Sequence, residues 1–203
     1  MNKEAEDIKM IRTMMEKSSK FLSFNGLSIV FAGFFAIIGA IFVYLFLHHS
    51  IKGMYNVTQV KIILLIAALV VLFFSVCSVT FFCWRKAKAN HETLFSSTTR
   101  RAANSLLLPL LTGGIFSLVL LYRGDFDTVF AATLIFYGLG LINVSKYTLS
   151  EIYYLGLSII ILGLLALFFT NLSLYFWTAG FGLFHIIIGF IMYFKYEKTD
   201  RKT

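Results

Sequence analysis

Three polar side chains and one proline inside otherwise apolar segments are the residues of this sequence that could do chemistry. His185 lies near the middle of the apolar run 176–194. An ionisable side chain is costly inside a membrane and usually faces protein or water there. We therefore consider two roles for His185: a neutral histidine hydrogen-bonded to Asn143 or Tyr137 of another helix, or a proton relay or ligand contact.

Pro109 is the only proline, and Thr112, Gly113 and Gly114 follow it closely. A proline inside a helix removes a backbone hydrogen bond and crowds the preceding turn, so we expect a kink or local unwinding there. Broken helices often line transporter sites, but those folds usually carry a matching break in the other half. The sequence shows no such match, and both a plain kink and a substrate-lining break stay open.

Catalytic and metal-binding motifs are missing from the sequence. No charged residue lies deep within any apolar run, and Glu151 stands at the end of one. His48 and His49 have no acidic or cysteine residue nearby in sequence to complete a metal site, and the adjacent His91 and Glu92 lie in a charged loop. Zinc-protease, serine-hydrolase, paired-aspartate and phosphate-loop patterns are also missing. We expect no catalytic residue, no metal and no cofactor, hence a non-enzymatic protein.

The composition indicates the class of protein that must position these residues. The chain is 59% hydrophobic and 14% charged, with a mean hydropathy of +0.82. A soluble domain carries about a quarter of charged residues, and a core this small could not bury so much apolar surface. Six apolar runs are each long enough to cross a ~30 Å hydrocarbon layer, at about 24–47, 61–84, 102–122, 127–147, 151–169 and 176–194. We predict an all-α polytopic membrane protein in which residues 21–194 form a six-transmembrane-helix bundle.

Residues 1–20 precede the first span. Their pattern of apolar and charged positions predicts an amphipathic cytoplasmic or interfacial helix. Ile8, Ile11, Met15 and Leu22 share one face, and charged side chains line most of the rest. This pattern fits an ordinary interfacial helix and equally a docking helix for a partner or a second protomer. The charged start lacks the short apolar core of a cleavable signal peptide, so we expect the first span to stay attached.

Basic residues predict the orientation of the spans. With the N-terminus inside, all but Lys52, Lys61 and Arg123 of the 18 Lys and Arg residues fall on the cytoplasmic side, as the positive-inside rule requires. Both termini are then cytoplasmic, and residues 195–203 form a basic tail. Because the positive charges lie beside spans, we expect membrane lipid rather than nucleic acid as their partner. Cys77 and Cys83 both fall inside a span and predict no disulfide.

Small residues recur at helical spacing in two of the spans. Ala32, Ala36 and Ala40 follow one another at every fourth position of the first span, and Gly182 and Gly189 flank His185. Small residues in such positions let two helices approach closely. We expect them to pack helices together, either within the bundle or in a homo-oligomer.

The run from Ile11 to Ala40 resembles the opening of uncharacterised multi-span membrane proteins of the Bacteroidetes. It reads IRTMMEKSSKFLSFNGLSIVFAGFFAIIGA, and the family pattern is similar to I-R-x-M-M-E-[KR]-S-[ST]-[KR]-F-[IL]-S-L-S-G-L-S. This chain departs from the pattern at Phe24 and Asn25, where Leu and Ser are expected. The resemblance implies a bacterial inner membrane and, for some members, a neighbouring gene for a small winged-helix regulator. It implies no activity.

Two functional hypotheses follow from the sequence. The first is a non-enzymatic inner-membrane protein that acts through helix contacts, by self-association or by sensing and regulation through a cytoplasmic protein partner. The second is a small transporter or channel for a neutral or apolar solute, with Pro109, Gly113, Gly114 and His185 along its path. An intramembrane enzyme is the least favoured hypothesis because no nucleophile or metal set can be assembled.

Overall fold

The computed structural model describes residues 26–49, 56–89 and 97–197, and all structural statements concern these ranges. The predicted amphipathic helix at residues 1–20 lies outside them. So do His91, Glu92 and the basic tail beyond residue 197.

Six helices of the described chain are long and apolar enough to cross a membrane, so the chain is a multi-pass membrane protein. This confirms the predicted all-α six-helix bundle. Five of them are α1 (Gly26–His49), α2 (Val57–Ala89), α3 (Ser97–Arg123), α4 (Phe126–Ser145) and α5 (Ser150–Phe168). The sixth, α6 (Thr170–Tyr196), begins with a 3₁₀ turn and contains both α- and π-helical segments.

Helix α2 is longer than its apolar run because its charged end is also helical. Its 33 residues include Lys86 and Lys88 in the last turn, and at ~1.5 Å per residue they reach about 50 Å, well beyond a ~30 Å hydrocarbon layer. Its first turn is closed by a capping box, in which Asn56 and Gln59 exchange side-chain-to-backbone hydrogen bonds of 2.9 Å. Charges in the sequence therefore locate the membrane boundary and not the end of this helix.

The centre of the bundle is formed by α1, α4, α5 and α6. Helix α6 packs against α1, α4 and α5, while α4 also packs along α5; α2 lies against α1, and α3 lies against α4. The main apolar core joins α4, α5 and α6 through large, fully buried side chains, among them Leu134, Ile152, Leu155, Ile159 and Met192. A second cluster joins the end of α1 to the start of α2 through Val43, Val60, Leu64 and Ala67.

Glycines set the closest approach between α1 and α6. A Cβ atom at Gly33 would lie 2.7 Å from the carbonyl oxygen of Gly182, and one at Gly189 would lie 2.8 Å from that of Gly26. A residue without a side chain therefore fits best at Gly33 and Gly189, and at Gly182 a Cβ atom would lie 2.5 Å from the side chain of Ile37. The two helices are antiparallel, so the start of α1 lies beside the end of α6.

The alanine stripe of α1 is buried less uniformly than its spacing suggests. Ala36 and Ala40 are buried, whereas Ala32 is half-buried. The contact with α6 is made instead by Gly26 and Gly33, seven residues apart on α1, which meet Gly189 and Gly182 at the same spacing on α6. Close packing of α1 thus follows a glycine repeat that runs beside the predicted alanine repeat.

Candidate functional site

His185 lies where a π-helical segment of α6, Thr178–Phe184, passes into the α-helical segment His185–Met192. Its Nδ1 atom is 2.8 Å from the carbonyl oxygen of Gly180. Since a carbonyl can only accept, Nδ1 carries the proton. Nε2 of the neutral ring is then an acceptor, and the hydroxyl of Tyr137 donates to it across 2.9 Å. With His185 only 4% exposed, both ring nitrogens are occupied by the chain itself.

Of the four residues that the sequence singled out, the structure brings two together. Tyr137 of α4 bonds His185, whereas Asn143, the other predicted partner, makes neither of the two bonds to the ring. Pro109 lies at the contact between α3 and α4, because a Cβ atom at Gly140 would be 3.8 Å from the Cβ of Pro109. The proline and the histidine therefore belong to different helix contacts of α4.

The irregular helix is α6 and not α3. Helix α3 is α-helical without interruption from Ser97 to Arg123, so the local unwinding expected after Pro109 is not present. The π segment Thr178–Phe184 was missed in the sequence, where Gly180 and Gly182 indicated only close packing. Gly180 and Gly182 fit an uninterrupted α-helix as well, so the sequence carries no specific signal for this π segment.

Three side-chain hydrogen bonds connect α6 to α4 at successive levels of the bundle. They join Ser173 to Asp127 (3.1 Å), Trp177 to Thr133 (3.1 Å) and His185 to Tyr137 (2.9 Å). Residues 173–185 of α6 thus run alongside the shorter stretch 127–137 of α4. The π segment Thr178–Phe184 lies between the second and the third of these bonds.

Aromatic rings fill the space between these hydrogen bonds. Phe181 packs between Trp177 and Tyr137, with ring centroids 4.8 Å apart on both sides, and its ring also lies 5.9 Å from that of His185. Aromatic pairs at these separations add to the free energy of packing beyond their buried area. The contact of α6 with α4 is therefore an aromatic column crossed by polar bonds.

Hydrogen bonds to one carboxylate, that of Glu151, connect the far end of α6 to the start of α5. Glu151, only 8% exposed, accepts hydrogen bonds from Lys195 Nζ (2.7 Å) and from the hydroxyl of Tyr196 (3.0 Å). A buried carboxylate needs such donors because removal from water is costly without them. The sequence placed Glu151 at a span end but gave no indication of these partners, which come from the end of the next span.

The arrangement around His185 is suited to holding helices together. Neither ring nitrogen is open to a substrate, and within the described ranges no three His, Cys, Asp or Glu side chains come together as metal ligands. Comparison with protein-family models, with curated proteins and with solved structures finds no match for this chain.

Proposed function

We propose that this chain is a non-enzymatic membrane protein that acts through contacts, either by associating with a second copy or by sensing and regulation through a cytoplasmic protein partner. The observation that carries the proposal is the closed environment of His185, whose two ring nitrogens are bonded to Gly180 and Tyr137. A solute site presents its polar groups to a cavity. In this bundle the central polar residue is committed to a contact between α6 and α4.

The proposal includes the bacterial inner membrane, with both termini in the cytoplasm. Two features of the sequence support it: the concentration of basic residues in alternate connections and the resemblance of residues 11–40 to Bacteroidetes membrane proteins. The packing of Gly26 close to Tyr193 also supports it, since the two ends of the spanning region then lie at one face of the membrane.

The contacting element in this proposal is the amphipathic segment of residues 1–20. It precedes α1, and α1 packs along α6 through backbone-to-backbone contacts at Gly26 and Gly33. A partner bound to the segment would therefore act on a helix that belongs to the centre of the bundle. The apolar face formed by Ile8, Ile11 and Met15 would be the binding surface.

Photo-crosslinking in intact cells tests this proposal. A photoreactive amino acid at Ile11, on the apolar face, is expected to give one discrete protein adduct, either with a second copy or with a cytoplasmic protein. The same group at Arg12, on the charged face, is the matched control and should give none. Deletion of residues 1–20 should abolish binding of the partner identified in this way while the bundle stays folded. Binding that survives the deletion, or adducts with lipid alone at Ile11, would contradict the proposal.

A small transporter for a neutral or apolar solute is the second candidate, and one observation favours it. π-Helical turns occur frequently at functional sites, and the π segment of α6 directly precedes the buried His185. In proteoliposomes this candidate predicts solute flux that falls at least tenfold on His185→Ala but is retained in Thr133→Val, which removes a neighbouring interhelical bond. Equal flux in all three proteins would remove His185 from any transport path.

A further inference from the structure

The middle of helix α6 consists of two α-helical halves joined by a π-helical segment, and a second π segment, Tyr193–Glu197, follows the second half. The first half is Ser173–Trp177, the second half is His185–Met192, and Thr178–Phe184 lies between them. A π turn is one of the few features at which helices kink, and such turns often mark functional positions. The segment is therefore the natural hinge of this helix.

Each half of α6 has its own attachment to the bundle. The first half is bound to α4 through Ser173 and Trp177. The second half is bound to α4 at its beginning, by the bond between His185 and Tyr137, and the Lys195–Glu151 pair binds the end of α6 to α5. The hydrogen bonds on the two sides of the π segment can therefore be removed independently.

His185 is the residue that connects the hinge to α4. Its Nδ1–H donates to Gly180 inside the π segment, and its Nε2 accepts from Tyr137 on α4. One imidazole ring thus fixes the position of a backbone carbonyl of the hinge relative to a side chain of the neighbouring helix. Loss of the bond to Tyr137 removes the side-chain hydrogen bond between the second half and α4, while the bonds of the first half to α4 stay intact.

Helix α1 is packed mainly on the hinge and the second half of α6. A Cβ atom at Gly26 would lie 2.5 Å from the carbonyl oxygen of Gly189, and one at Gly33 would lie 2.7 Å from that of Gly182. Contacts this tight between backbones leave little freedom for sliding, because neither helix has a side chain there that could give way. A displacement of the second half therefore carries α1 with it.

From these contacts we propose that α6 is hinged at Thr178–Phe184 and that the bond between Tyr137 and His185 sets the position of its second half. When this bond is broken, the second half and α1 move together relative to α3 and α4. In a last step, α1 passes this movement to residues 1–20. Only this last step rests on the proposed function. The hinge itself can be tested without any partner.

Distances between spin labels in lipid nanodiscs test the hinge. The full chain, with Cys77 and Cys83 replaced by alanine, would carry one label at the exposed Leu108 of α3 and a second at the exposed Ile191 of α6. A second labelled pair, Leu108 with the exposed Phe34, reports on α1. Each pair is measured in three backgrounds: the unchanged chain, Tyr137→Phe, and the matched control Thr133→Val, which removes the bond to Trp177 on the other side of the π segment.

In Tyr137→Phe we expect a new distance population in both labelled pairs, displaced by roughly 5 Å or more. A change of about 20° in the direction of the second half, the size of a helix kink, moves Ile191, which lies about ten residues or ~15 Å from the hinge, by about 5 Å. Thr133→Val should keep the original distances. His185→Gln removes the imidazole ring and with it the bond to Tyr137. It should reproduce the Tyr137→Phe result and replaces that variant in the experiment if Tyr137→Phe folds poorly.

Unchanged distances in Tyr137→Phe and His185→Gln would overturn the hinge. The same displacement in Thr133→Val would also overturn it, because α6 would then move as one rod. The crosslinking at Ile11 is a separate measurement. An adduct without a movable hinge contradicts this inference alone, and a movable hinge without an adduct contradicts the proposed function alone.

Discussion

Gly189→Ala is expected to lower the free energy of unfolding of the bundle by about 1–3 kcal/mol, the range for inserting atoms into a well-packed interior. The new methyl group would lie 2.8 Å from the carbonyl oxygen of Gly26 and 2.8 Å from the backbone nitrogen of Val30. These are backbone atoms, so α1 and α6 must separate to admit it. Reversible unfolding in mixed micelles, followed by circular dichroism, measures the loss.

Gly114→Ala is the matched control for this substitution. Gly114 is also a glycine inside a transmembrane helix, but a Cβ atom there would meet nothing within 4 Å. Because alanine is favoured over glycine in a helix by up to ~1 kcal/mol, the control variant should be unchanged or slightly more stable. Equal losses at the two positions would show that close contact between α1 and α6 is not what the glycine provides.

His185→Leu is expected to cost about 2 kcal/mol even though leucine suits an apolar environment. The substitution leaves the hydroxyl of Tyr137 without its acceptor and removes the Nδ1–H donor from the carbonyl of Gly180. A buried polar group that loses its partner costs about 1–3 kcal/mol. The same unfolding measurement in mixed micelles gives the value.

The double variant His185→Leu/Tyr137→Phe separates this cause from a simple loss of packing. Removing the orphaned hydroxyl should recover part of the lost stability, with a coupling energy of about 0.5–1.5 kcal/mol, as for other interhelical hydrogen bonds in membranes. Strictly additive losses in the two single variants would mean that the 2.9 Å contact of Tyr137 with His185 adds nothing to stability. The hinge would then lose its main support.

Polar bonds connect the two ends of α6 to different helices. One end is bound to α4 through a serine, a tryptophan and a histidine, and the other end is bound to α5 through the Glu151–Lys195 pair. In an apolar environment such bonds select which helices pair and in which register, since dispersion packing alone discriminates weakly among apolar faces. The mixture of α- and π-helical turns in α6 is the backbone conformation that satisfies all of them together.

Much of the architecture follows directly from the sequence. Six apolar runs of about twenty residues predict six helices because, in lipid, each backbone polar group must be bonded within its own helix. The pairing of His185 with Tyr137 was also among the expectations, because an ionisable side chain inside a membrane needs a polar partner from another helix. The packing role of Gly182 and Gly189 followed from their size alone.

The rest required the tertiary structure. Tyr137 and Asn143 were equivalent as partners in the sequence, and only the rotation and depth of α4 relative to α6 place Tyr137 at the ring. Pro109 predicted a kink or local unwinding in α3, yet α3 is α-helical throughout and the π-helical segment lies in α6. Hydropathy is a property of each segment, so the sequence by itself determined which segments span the membrane. The register and rotation of each helix, and the choice of its polar partners, depend on contacts between helices that are far apart in the chain. These properties were decided only by the packing of the bundle.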